Sequence, residues 1–438
     1  MLKFLKRAAI VMLLLLLALY LYLQLRQSRS YNNIPEGANL VMRANIDQLF
    51  KKLLFNSLTN PKYYYQSSSD STDTDDETED PSFVIPANVF VYNLGATPNT
   101  FYTSLHIKDS TGIQAFLKKK LSIDQYLEED NFTYGFTDNH QLQVIYNEDR
   151  AFLSLSIDRQ NVKSELKDLL FNLKPMDRNT PIITALRDAD SDISLLGESN
   201  ELNVDFNTGE VIISGLTSFN KYLKTPNQAS VKQPLDSLGL HAWLSATPTD
   251  ALDTLFTINH ITLSGDTLRT YYHNAIDFQI AETTLQSDTI ITYDYNDDFE
   301  KVEQKEIKTS KVPGICIAIK CDSDAMQRYL KNKGILDNAK VNESFFPLYS
   351  LNTTQKDSLL IIHNLTDYTA NYKSSEKVMG LYVDFNQLQT QLPILNDKVD
   401  YLSKAELYGS KEKEKLKLEG SIKMTQSDLN ALIQFIKK

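Results

Sequence analysis

The chain has 438 residues, a formal net charge of -11, 42% hydrophobic residues and 10% aromatic residues. This apolar content excludes a wholly disordered chain. The acidic balance of the whole chain disfavours nucleic acid or anionic lipid as a partner, because phosphate binding needs clustered Lys and Arg. The length exceeds what one hydrophobic core usually serves, so the composition predicts two domains.

The amino-terminal residues 1–30 predict a membrane anchor. A basic start with Lys3, Lys6 and Arg7 precedes an uncharged run over residues 8–25, which as a helix is just long enough to cross a bilayer. The end of the run, residues 20–26, lacks the small residues that signal peptidase requires before its cleavage site, so we expect an uncleaved anchor, with a cleaved signal as the alternative. The predicted anchor residues include Ala8, Leu13, Leu17, Tyr20, Tyr22 and Leu25.

The basic residues that set the orientation of a membrane helix lie on both sides of the run, since Lys3, Lys6 and Arg7 precede it while Arg26 and Arg29 follow it. The sequence therefore indicates the orientation less clearly than it indicates the anchor itself. We expect a single-pass protein whose amino end is inside and whose soluble body is extracytoplasmic, in the periplasm. A cytoplasmic body is the alternative.

A strand, a polar capping residue and a short helix recur along the chain. In the first case Asn45 is the predicted cap, and the helical stripe consists of Ile46, Leu49, Phe50, Leu53 and Leu54. Asp322, Asp384 and Thr247, the last with Pro248 at the first helical position, are predicted caps in the second half. Four such units precede residue 224 and four follow residue 239. Pairing them in order gives separations of about 200 to 230 residues, which predicts a tandem duplication.

The predicted fold is therefore α+β, with an amino-terminal transmembrane helix and two similar domains. Each has a mainly antiparallel sheet with helices on one face. The boundaries are 31–224 for the first domain, 225–239 for a linker containing two prolines, and 240–438 for the second domain. Residues 60–81 form an acidic, low-complexity loop that is too polar to bury.

The sequence contains no catalytic signature. Phosphate loops, nucleophile elbows, zinc helices and dinucleotide-binding turns are absent, and the six histidines are dispersed. Cys316 and Cys321 lie five residues apart in an alternating strand, so we expect them to face opposite sides as half-buried thiols, with a disulfide bridge or a metal role as the alternative. We expect no cofactor and no metal, and the chain is more consistent with a non-enzymatic protein than with an enzyme.

Aromatic side chains are the candidates for partner contacts. Tyr63, Tyr64 and Tyr65 form one cluster of the 23 tyrosines, and Trp243 is the only tryptophan. Tyrosine and tryptophan provide a large contact area with one polar atom. Core packing is the alternative for Trp243, and sheet positions are the alternative for most tyrosines.

The segment YNNIPEGANLVMRANIDQLFKKLL after the anchor, and the later MGLYVDFNQLQTQLPIL, resemble uncharacterised single-pass envelope proteins of Bacteroidota with a duplicated α+β body. The resemblance implies an extracytoplasmic bacterial setting and no particular activity. We therefore expect a membrane-anchored binding or scaffold protein of the cell envelope, whose partner is another envelope protein. The alternatives are a hydrolase acting on an envelope polymer and a periplasmic lipid- or peptide-binding protein.

Overall fold

Antiparallel strand pairs build both halves of the chain. The structure, a computed structural model, describes residues 21–65, 83–218, 222–235, 237–252, 255–258, 260–295, 301–365, 371–395 and 398–437. The chain divides into two compact units between Phe206 and Asn207. The predicted boundary lies at 224/225. It differs because strand Glu210–Thr217 pairs with Lys415–Met424, which places it in the second unit.

Among the described residues, no helix combines the length and the apolar character that a membrane crossing requires. Residues 8–20 of the predicted anchor lie outside the described part of the chain. Residues 21–30, which include Tyr22 and Leu25, are helical.

In the first unit, ten strands lie among the described residues: β1 (Ala38–Asn45), β2 (Phe83–Val84), β3 (Asn88–Leu94), β4 (Thr97–Ile107), β5 (Gln125–Glu129), β6 (Phe132–Phe136), β7 (Leu142–Tyr146), β8 (Arg150–Ser156), β9 (Ile193–Gly197) and β10 (Glu201–Phe206). They pair in the order β10–β9–β1–β3–β4–β8–β7–β6–β5, and β2 pairs with the end of β4. The α-helices that follow β1 in this unit, among the described residues, are α1 (Ile46–Thr59), α2 (Pro61–Tyr65), α3 (Ile113–Leu121), α4 (Lys163–Asn172) and α5 (Pro181–Asp188). Tyr31–Asn33 is a 3-10 turn.

The first unit also has a buried cation in its core. Arg43 on β1 is buried, and its guanidinium donates to the carbonyl oxygens of Leu186, Ala189 and Ser191 at the end of α5. The last carbonyls of a helix carry partial negative charge and have no partner within the helix. The cation therefore compensates these carbonyls and ties β1 to a segment about 150 residues later in the chain.

In the second unit, the strands are β11 (Glu210–Thr217), β12 (Leu223–Lys224), β13 (Ala229–Lys232), β14 (Leu240–Ser245), β15 (Thr247–Pro248), β16 (Leu255–Ile258), β17 (Ile261–Ser264), β18 (Tyr272–Tyr295), β19 (Lys301–Cys321), β20 (Leu336–Asp337), β21 (Lys340–Val341), β22 (Asn352–Lys356), β23 (Leu359–His363), β24 (Tyr372–Ser375), β25 (Lys377–Asp384), β26 (Leu402–Glu412) and β27 (Lys415–Met424). The helices are α6 (Gly265–Tyr271), α7 (Ser323–Asn332), α8 (Phe385–Gln391) and α9 (Ala431–Ile436), with 3-10 turns at Asp250–Leu252 and Pro393–Leu395. The main sheet pairs in the order β11–β27–β26–β25–β14–β18–β19–β23–β22–β21–β20.

The two sheets share a pairing pattern. In the first, β1–β3–β4 is flanked by β9 and β8; in the second, β14–β18–β19 is flanked by β25 and β23. The first two predicted unit pairs begin with strands at equivalent positions, since β1 corresponds to β14 and β4 to β19. The third and fourth predicted pairs do not, because β8 corresponds to β23 rather than to β25, and β11 pairs directly with β27. The duplication stays a prediction.

Three of the predicted helix caps are confirmed. The side chains of Asn45, Asp322 and Asp384 accept hydrogen bonds from backbone N–H groups three residues later. The prediction that Thr247 caps a helix was wrong, because Thr247–Pro248 forms strand β15 and pairs with Leu223–Lys224.

The predicted α1 stripe is also partly wrong. Phe50 and Leu54 are exposed, while the buried residues of the helix are Asn56 and Ser57.

Two predicted irregular segments contain regular structure. The predicted linker 225–239 includes β13, which pairs with β24 and carries the buried residues Ala229, Val231 and Lys232. The predicted acidic loop begins inside a helical region, since α2 occupies Pro61–Tyr65; residues 66–81 lie outside the described residues.

The two cysteines are free and more deeply buried than predicted. Cys316 packs with Ala318 and Ile361, while Cys321 packs with Met326 and Leu330 of α7. They belong to different core clusters, as expected for an odd separation along one strand.

Candidate functional site

The most distinctive feature of the second unit is the length of the β18–β19 hairpin. Only the inner part of this hairpin, near residues 275–280 of β18 and 316–320 of β19, pairs with other strands of the sheet. There β14 pairs with β18 and β23 pairs with β19. Beyond this inner part, Leu285–Lys311 to Tyr295–Lys301 pair only with one another among the described strands. We call this outer part, residues 285–295 and 301–311, the ribbon. At a rise of about 3.4 Å per residue the ribbon is about 35 Å long.

One face of the ribbon is apolar and exposed. Directly paired residues share a face, so Leu285, Ile291, Tyr293 and Ile307 lie together on one side. Their exposed fractions run from 49% to 73%. Ile307, Ile291 and Tyr293 are neighbours on this face, and the polar pair Ser287 and Thr309 separates them from Leu285. Exposed apolar side chains grouped in this way are typical of an interaction surface.

Lysines accompany this apolar row. Lys301, Lys305 and Lys311 share its face, being paired with Tyr295, Ile291 and Leu285, and Glu303 pairs with Tyr293. The ammonium nitrogen of Lys301 lies 4.0 Å from the centroid of the Tyr293 ring, a cation–π contact. The face therefore combines apolar area with an excess of positive charge.

The opposite face is more polar, although it also exposes Ile290 and Val302. It carries Gln286, Asp288, Thr292 and Gln304, and the side-chain amide of Gln286 donates to the Asp288 carboxylate at 2.9 Å. The charged residues along both strands also protect the open edges from indiscriminate strand pairing. The face of Leu285, Ile291, Tyr293 and Ile307 therefore carries the more exposed apolar side chains, and the opposite face is richer in polar groups.

A buried polar cluster lies in the sheet part of the same unit. His241, Gln279, Cys316 and His363 are aligned across β14, β18, β19 and β23, and Asp277 lies on the same face two residues before Gln279. Nε2 of His241 is 2.7 Å from a carboxylate oxygen of Asp277, so this nitrogen donates. The amide of Gln279 donates to the other carboxylate oxygen at 2.8 Å.

Strand β13 adds a cation to this cluster. Lys232 is completely buried, and its ammonium group makes no hydrogen bond of ordinary geometry to the residues that the structure describes. Burial raises the pKa of the Cys316 thiol, and the nearby Lys232 ammonium offsets only part of that rise. Burial also raises the pKa of Tyr372, with a further contribution from the charges of Asp277 and Cys316.

The chemistry available to the cluster is limited. A thiol with a raised pKa stays protonated near neutral pH, and the thiolate is the reactive form. Asp277 is the carboxylate of this group, whereas glycosidic hydrolysis uses two. Because these side chains are also buried, we interpret the cluster as a polar layer of the core and the ribbon as the candidate functional site.

Metal binding has no support among the described residues. They contain no group of three or more His, Cys, Asp or Glu side chains placed to hold an ion.

None of the sequence-predicted contact residues belongs to the ribbon. Tyr64 donates to the side chain of Asn56 on α1, and Tyr65 is exposed beside Ser57. Trp243 is half-buried on β14, where its ring lies 4.6 Å from that of His241 and packs with Val378 and Leu416. Tyr22 and Leu25 are exposed on the helical residues 21–30.

Sequence reasoning missed the ribbon as a site. The segment 288–296 reads as a strand without a helix, but its periodicity does not reveal whether either face is covered. The signal that could have revealed it is the length of the two strands, since β18 and β19 are much longer than the neighbouring strands β14 and β23 and must extend beyond them.

Comparison with known proteins gives no family. No family model and no curated protein matches the chain. Among solved structures, crystal form IV of TP0453 matches with a TM-score of 0.26 and 11% identity, covering 43% of this chain and 79% of that chain. Crystal form III of TP0453 matches with a TM-score of 0.23 and 8% identity, covering 76% and 91%. Likenesses this distant carry no argument about fold or function.

Proposed function

We propose that this chain is a membrane-anchored, extracytoplasmic binding or scaffold protein of the cell envelope, and that the ribbon is its partner-binding element. The observation that carries the proposal is the exposed apolar row Leu285, Ile291, Tyr293 and Ile307, which lies on the outer segments of β18 and β19, beyond the residues that pair with β14 and β23. The apolar run over residues 8–25 and the resemblance to envelope proteins support the location.

The size of the ribbon limits the kind of contact it makes. A face about 35 Å long and two strands wide offers about 350 Å², less than half of the about 800 Å² per partner in a standard interface. Contact through this face alone would be transient. A stable complex would also use the open edges of the ribbon, where a partner strand finds free N–H and C=O groups.

The charge of the face indicates the partner's chemistry. Lys301, Lys305 and Lys311 border the apolar row, so the complementary surface is an apolar strip bordered by carboxylates. We expect this surface on another envelope protein.

Site-specific photo-cross-linking tests the proposal in the cells that produce the protein. A benzoylphenylalanine at Ile291 should form one dominant adduct with a partner protein. The same residue at Thr292, the adjacent position on the opposite ribbon face, should give much less. Equal adducts at both positions, or none at either, would contradict the assignment.

A shortened hairpin provides the matching loss-of-function variant. Removing residues 287–309 and closing the strands with an Asn-Gly turn should abolish recovery of the partner while the unit stays folded. Folding is checked by the fluorescence of Trp243, which lies on β14 next to the retained sheet. Retained partner recovery would overturn the role of the ribbon.

A further inference from the structure

Helix α1 of the first unit is apolar on two sides. The side that packs on the unit contains half-buried Leu49 and Leu53 with buried Asn56 and Ser57. The other side carries Phe50, Leu54, Phe55 and Leu58, whose exposed fractions lie between 46% and 69%. A helix that is apolar on both sides is normally covered on both.

More exposed apolar residues border this side. The chain before β3 exposes Val84 and Ile85, and Tyr65 at the end of α2 is exposed next to Ser57 of α1. We define the α1 surface as the side chains of Phe50, Leu54, Phe55, Leu58, Val84 and Ile85.

The helical residues 21–30 are fixed beside the start of the α1 surface. Arg26 donates to the Asp47 carboxylate at 2.7 Å and to the carbonyl oxygen of Ile85 at 2.8 Å. The side chain of Gln27 donates to Asn45 and Asp47. Arg26 directly follows the apolar run that ends at Leu25, so the carboxyl end of the run lies near the first turn of α1.

We propose that the α1 surface lies in the boundary between lipid headgroups and acyl chains of the bilayer that holds the anchor. The inference rests on the membrane attachment in the proposed function. The level of the membrane is set where the apolar run ends, and Arg26 holds the first turn of α1 and Ile85 at that level.

The composition of the region fits a lipid occupant. Interfacial helices bury an apolar face at the headgroup boundary and carry cations at its border. Arg29, Lys51 and Lys62 are exposed around the α1 surface. They would attract anionic headgroups, while Tyr65 provides an amphipathic ring of the kind enriched at membrane interfaces.

The test uses the full chain reconstituted in vesicles of phosphatidylcholine and phosphatidylglycerol, with an environment-sensitive nitrobenzoxadiazole label at Leu54→Cys. Cys316 and Cys321 are completely buried and do not compete for the label in the folded protein. The control is Ile157→Cys, which is 63% exposed and follows β8 at the sheet end opposite Asn45. A third label at Tyr22→Cys reports insertion of the anchor.

The expected result is a blue-shifted label at position 54 that a headgroup-depth lipid quencher quenches several-fold more strongly than the label at position 157. If position 22 is quenched and position 54 resembles position 157, the inference is overturned while membrane attachment stands. If none of the three is quenched, membrane attachment fails. A blue-shifted label at position 54 that lipid quenchers do not reach would assign the surface to a protein contact and also overturn the inference.

Discussion

The hairpins β3–β4 and β18–β19 occupy equivalent places in their sheets and differ in length. In the first unit, Leu94 pairs with Thr97, so a two-residue turn closes the hairpin where these strands end. In the second unit, the same pair of strands continues through the ribbon to Tyr295 and Lys301. A sheet of this kind therefore forms without the extension, and the exposed apolar residues on the extension have no role in the core of their unit.

The comparison predicts that substitutions in the inner part of β18 and β19 affect stability, and that substitutions in the ribbon do not. The strongest test compares two aspartates of β18 that each accept a hydrogen bond from a glutamine two residues away, Asp277 in the cluster and Asp288 in the ribbon. Breaking a buried polar pair costs about 3 to 5 kcal/mol, so Asp277→Ala should lower the unfolding free energy by that amount. Asp288→Ala should change it by less than about 0.5 kcal/mol.

Urea unfolding followed by Trp243 fluorescence measures both variants. This tryptophan contacts His241 of the cluster and so reports on the second unit. A comparable loss for Asp288→Ala would show that the ribbon is part of the folded core.

A second test compares two isoleucines of β19. Ile315 is 6% exposed in the sheet and Ile307 is 73% exposed in the ribbon. Ile315→Ala should cost about 2 to 4 kcal/mol because it removes buried apolar contacts and leaves a cavity. Ile307→Ala should leave the unfolding free energy within about 0.5 kcal/mol while weakening partner recovery. Equal destabilisation by the two variants would contradict the division between sheet and ribbon.

A third test compares glycines on the equivalent strands β9 and β25. A Cβ at Gly380 would lie 2.3 Å from the Trp243 ring, so Gly380→Ala should cost about 1 to 3 kcal/mol through overpacking. A Cβ at Gly197 would meet the end of the flexible Leu40 side chain at 3.0 Å, so Gly197→Ala should cost less than about 1 kcal/mol. Calorimetric unfolding of the two variants measures the difference, and a larger loss at Gly197 would contradict the packing of Trp243 on Gly380.

The smallest expected effect concerns pH. Burial lowers the pKa of His363, which is paired with Cys316 beside the inner part of β19. The unfolded chain, with an ordinary histidine pKa of about 6.5, then binds the proton more tightly than the folded chain. The stability contributed by the neutral ring is complete above about pH 6.5 and is lost as the pH falls below it.

His363→Gln should therefore flatten the decrease in unfolding free energy between about pH 7 and pH 5, by less than about 1 kcal/mol. His273→Gln, at an exposed position, is the control. An unchanged slope in the His363 variant would contradict this assignment.

The sequence predicted the local structure better than the contacts between segments. Asn45, Asp322 and Asp384 were recognisable as caps because capping depends on residues three positions apart. The mainly antiparallel α+β class followed from alternating strands joined without long crossovers. Thr247 has the composition of a cap, but pairing with Leu223–Lys224 decides its structure, and such distant pairings leave no local pattern.

The same limit, that local sequence does not reveal distant contacts, explains why neither exposed surface could be predicted. The periodicity of α1 shows that Phe50 and Leu54 share a side but does not show what covers that side. In the ribbon, alternation predicts two strands, while exposure depends on where β14 and β23 end.

The pairing of β11 with β27 has a consequence for biosynthesis. Residues 210–217 find their partners only at 416–423, almost at the carboxyl terminus. A ribosome makes the chain from the amino end, so β11 stays unpaired until nearly all of the second unit has been made. The second unit therefore completes its sheet only late in synthesis, and a product truncated before residue 415 would carry a permanently open strand.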